Sequence, residues 1–244
     1  MYRILLLSFF ALFMLNLQAG ELPPAFKAQY VVRKGPLELG RATHELRYDA
    51  NGDLVFLSRS DTTGLADLLV SDHIRETTLL KHDADRLLPL EYHYQRSGKR
   101  SRTISQRFDW TRNVVSSDID QHHYDIPLVP GTMDPSAYQI SLMTDLARGE
   151  RNFLYHVVGK HDIDTWDIKH IRDETVDTVL GRLDTVVIQR NDRQITTMWC
   201  APRLHFLPVK IQHDENGGVF TAYLDSVEGL KLARQPAQTA ATAP

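Results

Sequence analysis

Apolar and polar residues alternate with a period of two through most of the chain beyond residue 25. Successive side chains of an extended strand point to opposite faces, so this period predicts strands with one buried and one wetted face. Antiparallel sheets are the usual source of such a pattern. The apolar members of the clearest runs are Phe26, Ala28, Tyr30 and Val32; Leu88, Leu90, Tyr92 and Tyr94; Ile104, Phe108 and Trp110; Phe153, Tyr155 and Val157; and Val209 and Ile211.

Short turn signals separate these runs, and their Gly and Asn residues supply the left-handed backbone that hairpins need. Counting the runs gives roughly ten to twelve strands, typical of a regularly spaced all-β domain. We therefore predict a mainly β fold, an antiparallel β-barrel or a strongly curled sheet. The turn signals are Gly35-Pro36, Asn51-Gly52, Ser97-Gly98, Gly159-Lys160, Asn191-Asp192 and Asn216-Gly217-Gly218.

One or two short helices interrupt the predicted strands. The stronger one covers Asp134 to Ala147, where Asp134 is suited to the N-cap and Pro135 to the first helical position. Its expected buried stripe contains Ala137, Ile140, Leu142 or Met143, and Leu146. Thr63 to Leu69 is a second, shorter candidate.

The first nineteen residues have the pattern of a secretory signal peptide. Arg3 precedes an apolar run from Ile4 to Leu17, and the small residues Ala19 and Gly20 follow it. We predict cleavage after Ala19 and a periplasmic protein; the alternative is an uncleaved anchor, although the run is shorter than the ~20 residues that span a bilayer. Residues 20–230 then form a single β-barrel-like domain, and residues 231–244 a disordered tail.

The net charge of the chain says little about which molecules bind the protein. The formal net charge is −3, which gives no push toward nucleic acid, whose binding proteins carry a basic surface. No second apolar run is long enough to span a membrane, so we expect no transmembrane segment after signal cleavage. A lipid or glycan ligand remains open, and we predict no cofactor.

Residues for catalysis or metal binding do not form a recognisable motif. The chain has no G-x-S-x-G elbow, no H-E-x-x-H and no glycine-rich phosphate loop. His122 and His123 lie near several aspartates, but adjacent histidines on extended chain point in opposite directions. A second cluster spans residues 159–164. We read both clusters as solvated loops and predict neither a metal site nor a catalytic residue.

Cys200 is the single cysteine, so it cannot form an intramolecular disulfide. Arg203 and His205 are near in sequence, but an extended chain carries them roughly 10–17 Å away. On a strand, Trp199 and Cys200 face opposite sides. We predict that Cys200 packs as a small apolar residue and that a second strand begins near Leu207.

The aromatic residues offer two interpretations. They can stack on sugars or line a lipid pocket, or they can fill an ordinary solid core. From the wider set, which includes Trp166, we select five as the predicted lining of a ligand cavity: Tyr92, Tyr94, Phe108, Trp110 and Trp199.

Several local motifs resemble a family of exported bacterial proteins, domain of unknown function 3108. The C-terminal part carries Trp199, Ala201-Pro202, the Leu207-Pro208-Val209-Lys210-Ile211 strand and Gly218. Leu88 to Tyr92, Arg107 to Trp110 and Asp134 to Ser136 are also similar, so the likeness covers about residues 25–230. It implies a periplasmic, mostly antiparallel β-barrel or curled sheet, and it implies no activity.

Three hypotheses about function follow. The first is a non-enzymatic β-barrel that binds an apolar or amphipathic envelope molecule, a lipid or a polysaccharide, and helps to maintain the cell envelope. The second is a structural component of an envelope assembly, which an exposed apolar patch would favour. The third is an envelope hydrolase that uses His122, His123 and the neighbouring aspartates.

Overall fold

The structure, a computed structural model, describes residues 22–63, 72–84, 86–98, 101–191, 194–215 and 218–233. In these residues fifteen strands form one sheet, more than the ten to twelve that were predicted. The turn signals Gly35-Pro36, Asn51-Gly52, Ser97-Gly98 and Gly159-Lys160 each fall where one strand gives way to the next, whereas Asp192, Asn216 and Gly217 lie outside the described residues. The strands are β1 (Phe26–Lys34), β2 (Leu37–Tyr48), β3 (Leu54–Thr62), β4 (His73–Asp83), β5 (Arg86–Ser97), β6 (Arg102–Asp109), β7 (Val114–Ile119), β8 (His122–Pro127), β9 (Thr132–Met133), β10 (Asn152–Val158), β11 (Ile163–Thr178), β12 (Gly181–Asn191), β13 (Ile195–Ala201), β14 (Leu207–Glu215) and β15 (Gly218–Glu228).

The first and last strands lie side by side in the middle of the sheet. The strand order runs β8-β7-β6-β5-β4-β3-β2-β1-β15-β14-β13-β12-β11-β10-β9. Two antiparallel meanders, β1 to β8 and β10 to β15, are therefore joined by the antiparallel pair of β1 and β15. Only the short β9 pairs in parallel, with β10. The predicted curled antiparallel sheet is confirmed.

The sheet curls back on itself without closing into a hydrogen-bonded barrel. Register shifts interrupt five strand pairs, and a bulge of this kind bends a strand and increases its twist. Edge strand β9 comes into contact with β5, which lies in the other meander. Curling thus creates an enclosed interior, and the segment between β9 and β10 passes through it.

One bulge corrects the sequence prediction for β5. Leu88 and Leu90 were expected to share a face with Tyr92, but Leu87 is the buried residue at that end. Leu79 pairs with Glu91 and Leu80 pairs with Pro89, so Leu90 is an extra residue opposite β4. The extra residue inverts the alternation along the rest of the strand.

The interior is filled by the helix α1 (Tyr138–Ala147). Its buried residues occur on every side, and both Leu142 and Met143 are buried, so the helix has no wetted stripe. The helix begins later than predicted, because residues 135–137 form a turn. Asp134 caps that turn: its Oδ1 accepts the backbone N–H groups of Ser136 and Ala137, both at 2.8 Å. The other predicted helix falls mostly on residues 64–71, outside the described residues.

Two groups of buried apolar residues make the core. The larger surrounds α1 and contains side chains from both meanders, and the smaller lies between β5 to β8 and β10. Packing of this extent supports stability in a chain whose one cysteine is free.

Ordered contacts continue just past the predicted domain end at residue 230. The Ala233 N–H donates to the Arg203 carbonyl at 3.0 Å, and Arg203 Nε donates to the Ala233 carbonyl at 2.6 Å. At the end of β15, Gly229 has a φ of +86°, and a Cβ there would lie 2.3 Å from the Ala25 carbonyl oxygen. Glycine is therefore required where the last strand meets the first. The predicted signal peptide and residues 234–244 lie outside the described residues.

Candidate functional site

A cavity of about 240 Å³ opens at the C-terminal end of α1, beside the turn between β4 and β5. We call it the end cavity. Its residues come from segments that are far apart in sequence and that the curled sheet brings together. The apolar lining residues are Leu22, Leu87, Leu88, Met133 and Leu154, and the main polar ones are His82, Arg86, Asp145, Arg148 and Tyr155.

Asp145 connects the helix to the cavity wall. The Tyr155 hydroxyl donates to Asp145 Oδ2 at 2.7 Å, and Arg148 Nη1 lies 3.4 Å from Oδ1. Burial raises the pKa of Asp145, whereas the Tyr155 hydrogen bond and the Arg148 charge act in the opposite direction. The carboxyl is held by side chains alone, and the last turn of the helix carries it.

Two arginines give the end cavity an excess of positive charge. Arg148 is paired with Asp145, with side-chain exposures of 27% and 25%. Arg86 is exposed at the start of β5 and makes no ion pair with any residue that the structure describes. A guanidinium is always charged at physiological pH and carries several hydrogen-bond donors. One ligand in the end cavity can therefore contact both an apolar wall and permanently charged arginine side chains.

The other end of the helix carries a second carboxyl in a different setting. Asp134 is fully buried, and its Oδ1 also accepts the Thr78 hydroxyl at 3.0 Å. Its Oδ2 has no partner among the described residues. Burial raises the pKa of Asp134 to about 7, despite the hydrogen bonds that oppose this change. We call Asp134 and its donors the N-terminal polar cluster.

Glu76 and His44 are two further titratable residues, and their side chains face inward from the sheet. Tyr92 donates from its hydroxyl to Glu76 Oε1 at 2.7 Å, and burial raises the pKa of Glu76. His44 lies between two aromatic rings, 5.2 Å from that of Tyr30 and 5.7 Å from that of Phe56. Burial lowers the pKa of His44 to about 4. None of these groups lines the end cavity.

The five aromatic residues selected from sequence do not form one set. Tyr92 and Phe108 are buried in the smaller core, with Tyr94 and Trp110 packed against it. Trp110 donates its indole N–H to the Pro89 carbonyl at 2.8 Å. Trp199 belongs to the larger core. None of the five lines the end cavity, and their contact with a ligand stays a prediction.

Trp199 and Cys200 are both buried in the larger core, and the register between β13 and β14 shifts between them. The Trp199 indole N–H donates to Glu174 at 3.1 Å, and Lys210 Nζ lies 3.9 Å from the ring centroid. Cys200 is fully buried, and burial raises the pKa of its thiol, which disfavours the reactive thiolate. Strand β13 ends at Ala201 and β14 begins at Leu207, which confirms the predicted hairpin.

The histidine cluster lies at the surface of the β7–β8 hairpin. His123 Nδ1 is 2.9 Å from Asp118 Oδ1, and its Nε2 is 3.3 Å from Asp125 Oδ1. The hydrogen bond to Asp118 is the main cause that raises the pKa of His123. His122 instead contacts the backbone carbonyl of Asp120. Throughout the described ranges, no three His, Cys, Asp or Glu side chains are arranged to hold a metal ion.

Sequence reasoning missed the residues of the end cavity. Leu22, Arg86 and Leu154 lie in different parts of the chain, and none belongs to a local motif. The available signal was the predicted helix, whose last turn supplies Asp145. Within the part of the chain that the structure describes, no helix has the length and apolar character needed to cross a membrane.

The fold and cavity define a barrel-like protein: a curled antiparallel sheet that, in the described residues, wraps around the helix α1. A crystal structure of a beta-barrel-like protein of domain of unknown function DUF1849 from Brucella abortus is similar, with a TM-score of 0.56 and 10% identity. The match covers 86% of this chain and 99% of that one, and at this identity it shows the fold alone. A comparison with curated protein sequences finds no match.

The sequence resemblance is confirmed by a family model described as "Protein of unknown function (DUF3108)". It matches residues 29–225, most of the chain. The chain therefore belongs to this family.

Proposed function

We propose that this protein is a periplasmic, non-enzymatic binding protein for an apolar or amphipathic molecule of the cell envelope, and that it helps to maintain the envelope. The observation that carries the proposal is the end cavity, where apolar side chains meet a small set of polar groups. Most small-molecule sites have this composition. The predicted signal peptide supplies the periplasmic part of the proposal.

The interior of the curled sheet supports a site at its end instead of its centre. The residues Ile140 and Leu142 of α1 are at most 1% exposed, and they fill the middle of the molecule. Protein interiors are closely packed, so a ligand enters where packing stops. That place is the C-terminal end of α1.

The test is recovery of a bound molecule. We expect native mass spectrometry of protein purified from the periplasm to detect an added mass, and solvent extraction to release a lipid or other amphiphile. Leu88→Trp, which fills the end cavity, should abolish that mass. Val219→Trp, at an exposed position outside the cavity, should keep it. Wild-type protein that carries no mass and displaces no apolar fluorescent probe would refute the proposal.

A scaffold role is the second candidate, because apolar side chains are exposed along another groove. Val179 at the β11–β12 turn is 59% exposed, and Tyr223 of β15 is 43% exposed. Crosslinking in cells from position 179 would capture a partner if this groove docks an assembly. The same crosslinker placed at position 107, on the outer face of β6, is the matched control.

A further inference from the structure

We infer that the end cavity selects amphiphiles that have an anionic head, a carboxylate or a phosphate monoester, on a single alkyl chain. The inference rests on the proposed function and adds the charge and size of the ligand. It is carried by the different depths of the apolar and cationic residues that line the cavity.

Exposure orders the lining from bottom to mouth. Leu87 and Met133 are 5% and 8% exposed, and the equally buried lining residues Ser141 and Thr144 use their hydroxyls inside the protein. The deep part of the cavity is therefore mainly apolar. Arg86 is exposed at the start of β5, and Leu154 is 64% exposed. An alkyl chain is stabilised where apolar area leaves water, and a charged head keeps part of its hydration at the mouth. This orientation places the head of the ligand beside Arg86.

The charges of the end cavity favour an anion over a cation. Arg86 and Arg148 are both cationic, and Asp145 is the one acidic residue among the described residues of the lining. That carboxyl is already held by Tyr155 and Arg148. Arginine also matches carboxylate and phosphate oxygens with two parallel donors.

Three nearby features oppose an anion: the C-terminal end of α1, Asp83, and Glu150, whose charge acts on Asp145. The carboxyl end of a helix carries a partial negative charge, but Arg148 is the C-cap residue and offsets it. Asp83 faces Arg86 across the β4–β5 turn, yet it lies outside the cavity lining and makes no ion pair with Arg86. Among the residues that the structure describes, Arg86 makes no ion pair, so its donors can meet a ligand.

Size limits the ligand to one chain. The volume of about 240 Å³ exceeds that of the engineered apolar cavity, about 150 Å³, that binds benzene. It lies just below the roughly 300–1,000 Å³ of sites that enclose drug-sized molecules. A lipid with several chains does not fit inside, whereas a short chain or the end of a longer one does.

The experiment compares heads on a constant tail. Displacement of a neutral apolar fluorescent probe from the mature protein would be measured with dodecanoate, dodecyl phosphate, dodecanol and dodecyltrimethylammonium, all below their micelle concentrations. We expect at least one of the two anions to bind about tenfold more tightly than dodecanol, since charge-assisted hydrogen bonds are the stronger ones. The preference should decrease with added salt. The order of the two anions identifies the natural head.

Variants assign the preference to the arginines. Arg86→Ala, at an exposed position, should lose most of the anion preference and keep the affinity for dodecanol. Arg148→Gln should act in the same direction. Arg107→Ala, whose side chain is 79% exposed on the outer face of β6, should keep the wild-type preference. Circular dichroism and thermal melts would establish that each variant is folded.

The failures of the two ideas can be told apart. If dodecanol binds as tightly as both anions, or if Arg86→Ala and Arg148→Gln keep the preference, the head-group inference is wrong and the apolar binding function stands. Tightest binding of dodecyltrimethylammonium would also overturn the inference. If no dodecyl compound displaces the probe, the proposed function fails together with it.

Discussion

The two ends of α1 each carry an aspartate, but their surroundings differ. At the N-terminal end, Asp134 is fully buried and held mainly by backbone donors and Thr78. At the C-terminal end, Asp145 is partly exposed and held by Tyr155 and Arg148 beside the end cavity. The first carboxyl is fixed by the chain itself, whereas the second depends on side chains that a ligand can displace.

The difference separates a structural group from a candidate binding group. Both carboxyls have raised pKa values through burial, so titration behaviour alone does not distinguish them. The hydrogen-bond partners of the two carboxyls and their access to solvent do distinguish them. A perturbed acid marks a functional site when it lies in a cleft, and only Asp145 lines the end cavity.

Access of a thiol reagent gives the largest expected contrast. In a Leu154→Cys variant, the new cysteine lies at the open mouth, and Cys200 lies in the closed core. We expect Cys200 to react at least about 1,000-fold more slowly with a soluble disulfide reagent, because it reacts only after opening of the fold. Mass spectrometry would follow both sites, with Leu154→Cys/Cys200→Ala as the control. Equal rates would mean that the core is not closed.

Side-chain truncation should show the same contrast in stability. Ile140→Ala removes fully buried atoms near the start of α1, and we expect it to lower the free energy of unfolding by about 2–5 kcal/mol. Leu154→Ala, at the mouth, should change it by no more than about 0.5 kcal/mol. Urea unfolding measures both. Similar losses for the two variants would show that Leu154 belongs to the core.

The aspartates themselves provide a smaller difference. Asp134→Ala leaves two backbone N–H groups and the Thr78 hydroxyl without their acceptor, and we expect a loss of about 2 kcal/mol. Asp145→Ala should cost about 1 kcal/mol or less, since water can reach its partners. Urea unfolding at a constant pH compares them. A larger loss for Asp145→Ala would reverse the assignment of the two ends.

The pH dependence of stability should separate two opposing groups in the interior. The pKa of Asp134 rises from 3.8 to about 7 on folding, so its contribution is complete below pH 3.8 and is lost as the pH rises through 7. The pKa of His44 falls from 6.5 to about 4, so its contribution is complete above pH 6.5 and is lost as the pH falls through 4. Between about pH 4 and 6.5, the contributions of Asp134 and His44 to stability change with pH in opposite directions, so they partly cancel.

Variants reveal each slope in that window. In Asp134→Asn, stability should rise with pH between about 4 and 6.5, by up to about 1 kcal/mol per pH unit. In His44→Gln, stability should fall as the pH increases toward 7, with Glu76 adding to the fall because its pKa is also raised. Urea unfolding at several pH values tests this. Parallel pH profiles for wild type and Asp134→Asn would show that Asp134 does not titrate in the window.

Local features of the fold could be predicted from the sequence. Alternation located the strands, and Gly35-Pro36 and Asn51-Gly52 located hairpin turns, because hairpins depend on adjacent residues. The bulge at Leu90 could not be predicted, since it depends on how β5 pairs with β4. The additional strands have the same cause: edge and short strands such as β9 are defined by a neighbour.

The candidate site was less accessible to sequence reasoning. Arg86, Met133 and Leu154 come together only when the sheet curls around α1. Aromatic residues were a reasonable choice for a cavity, but residue type does not distinguish a packed core from a hollow one. Phe108, for example, is stacked on Trp110 with ring centroids 6.3 Å apart. The end cavity is instead lined mostly by aliphatic and charged side chains, together with Tyr155.

The pairing of β1 with β15 has a consequence for how the chain reaches this structure. Every other antiparallel pair joins strands that are consecutive in sequence, whereas Lys27 of β1 lies opposite Glu228 of β15. Consecutive hairpins close short loops, and joining the first strand to the last closes a loop of nearly the whole chain, at a higher entropic cost. We therefore expect the two meanders to form early and the pairing of β1 with β15 to form last. Until that step, the unpaired edges of β1 and β15 can pair with another chain. Misassembly would therefore start at these two strands.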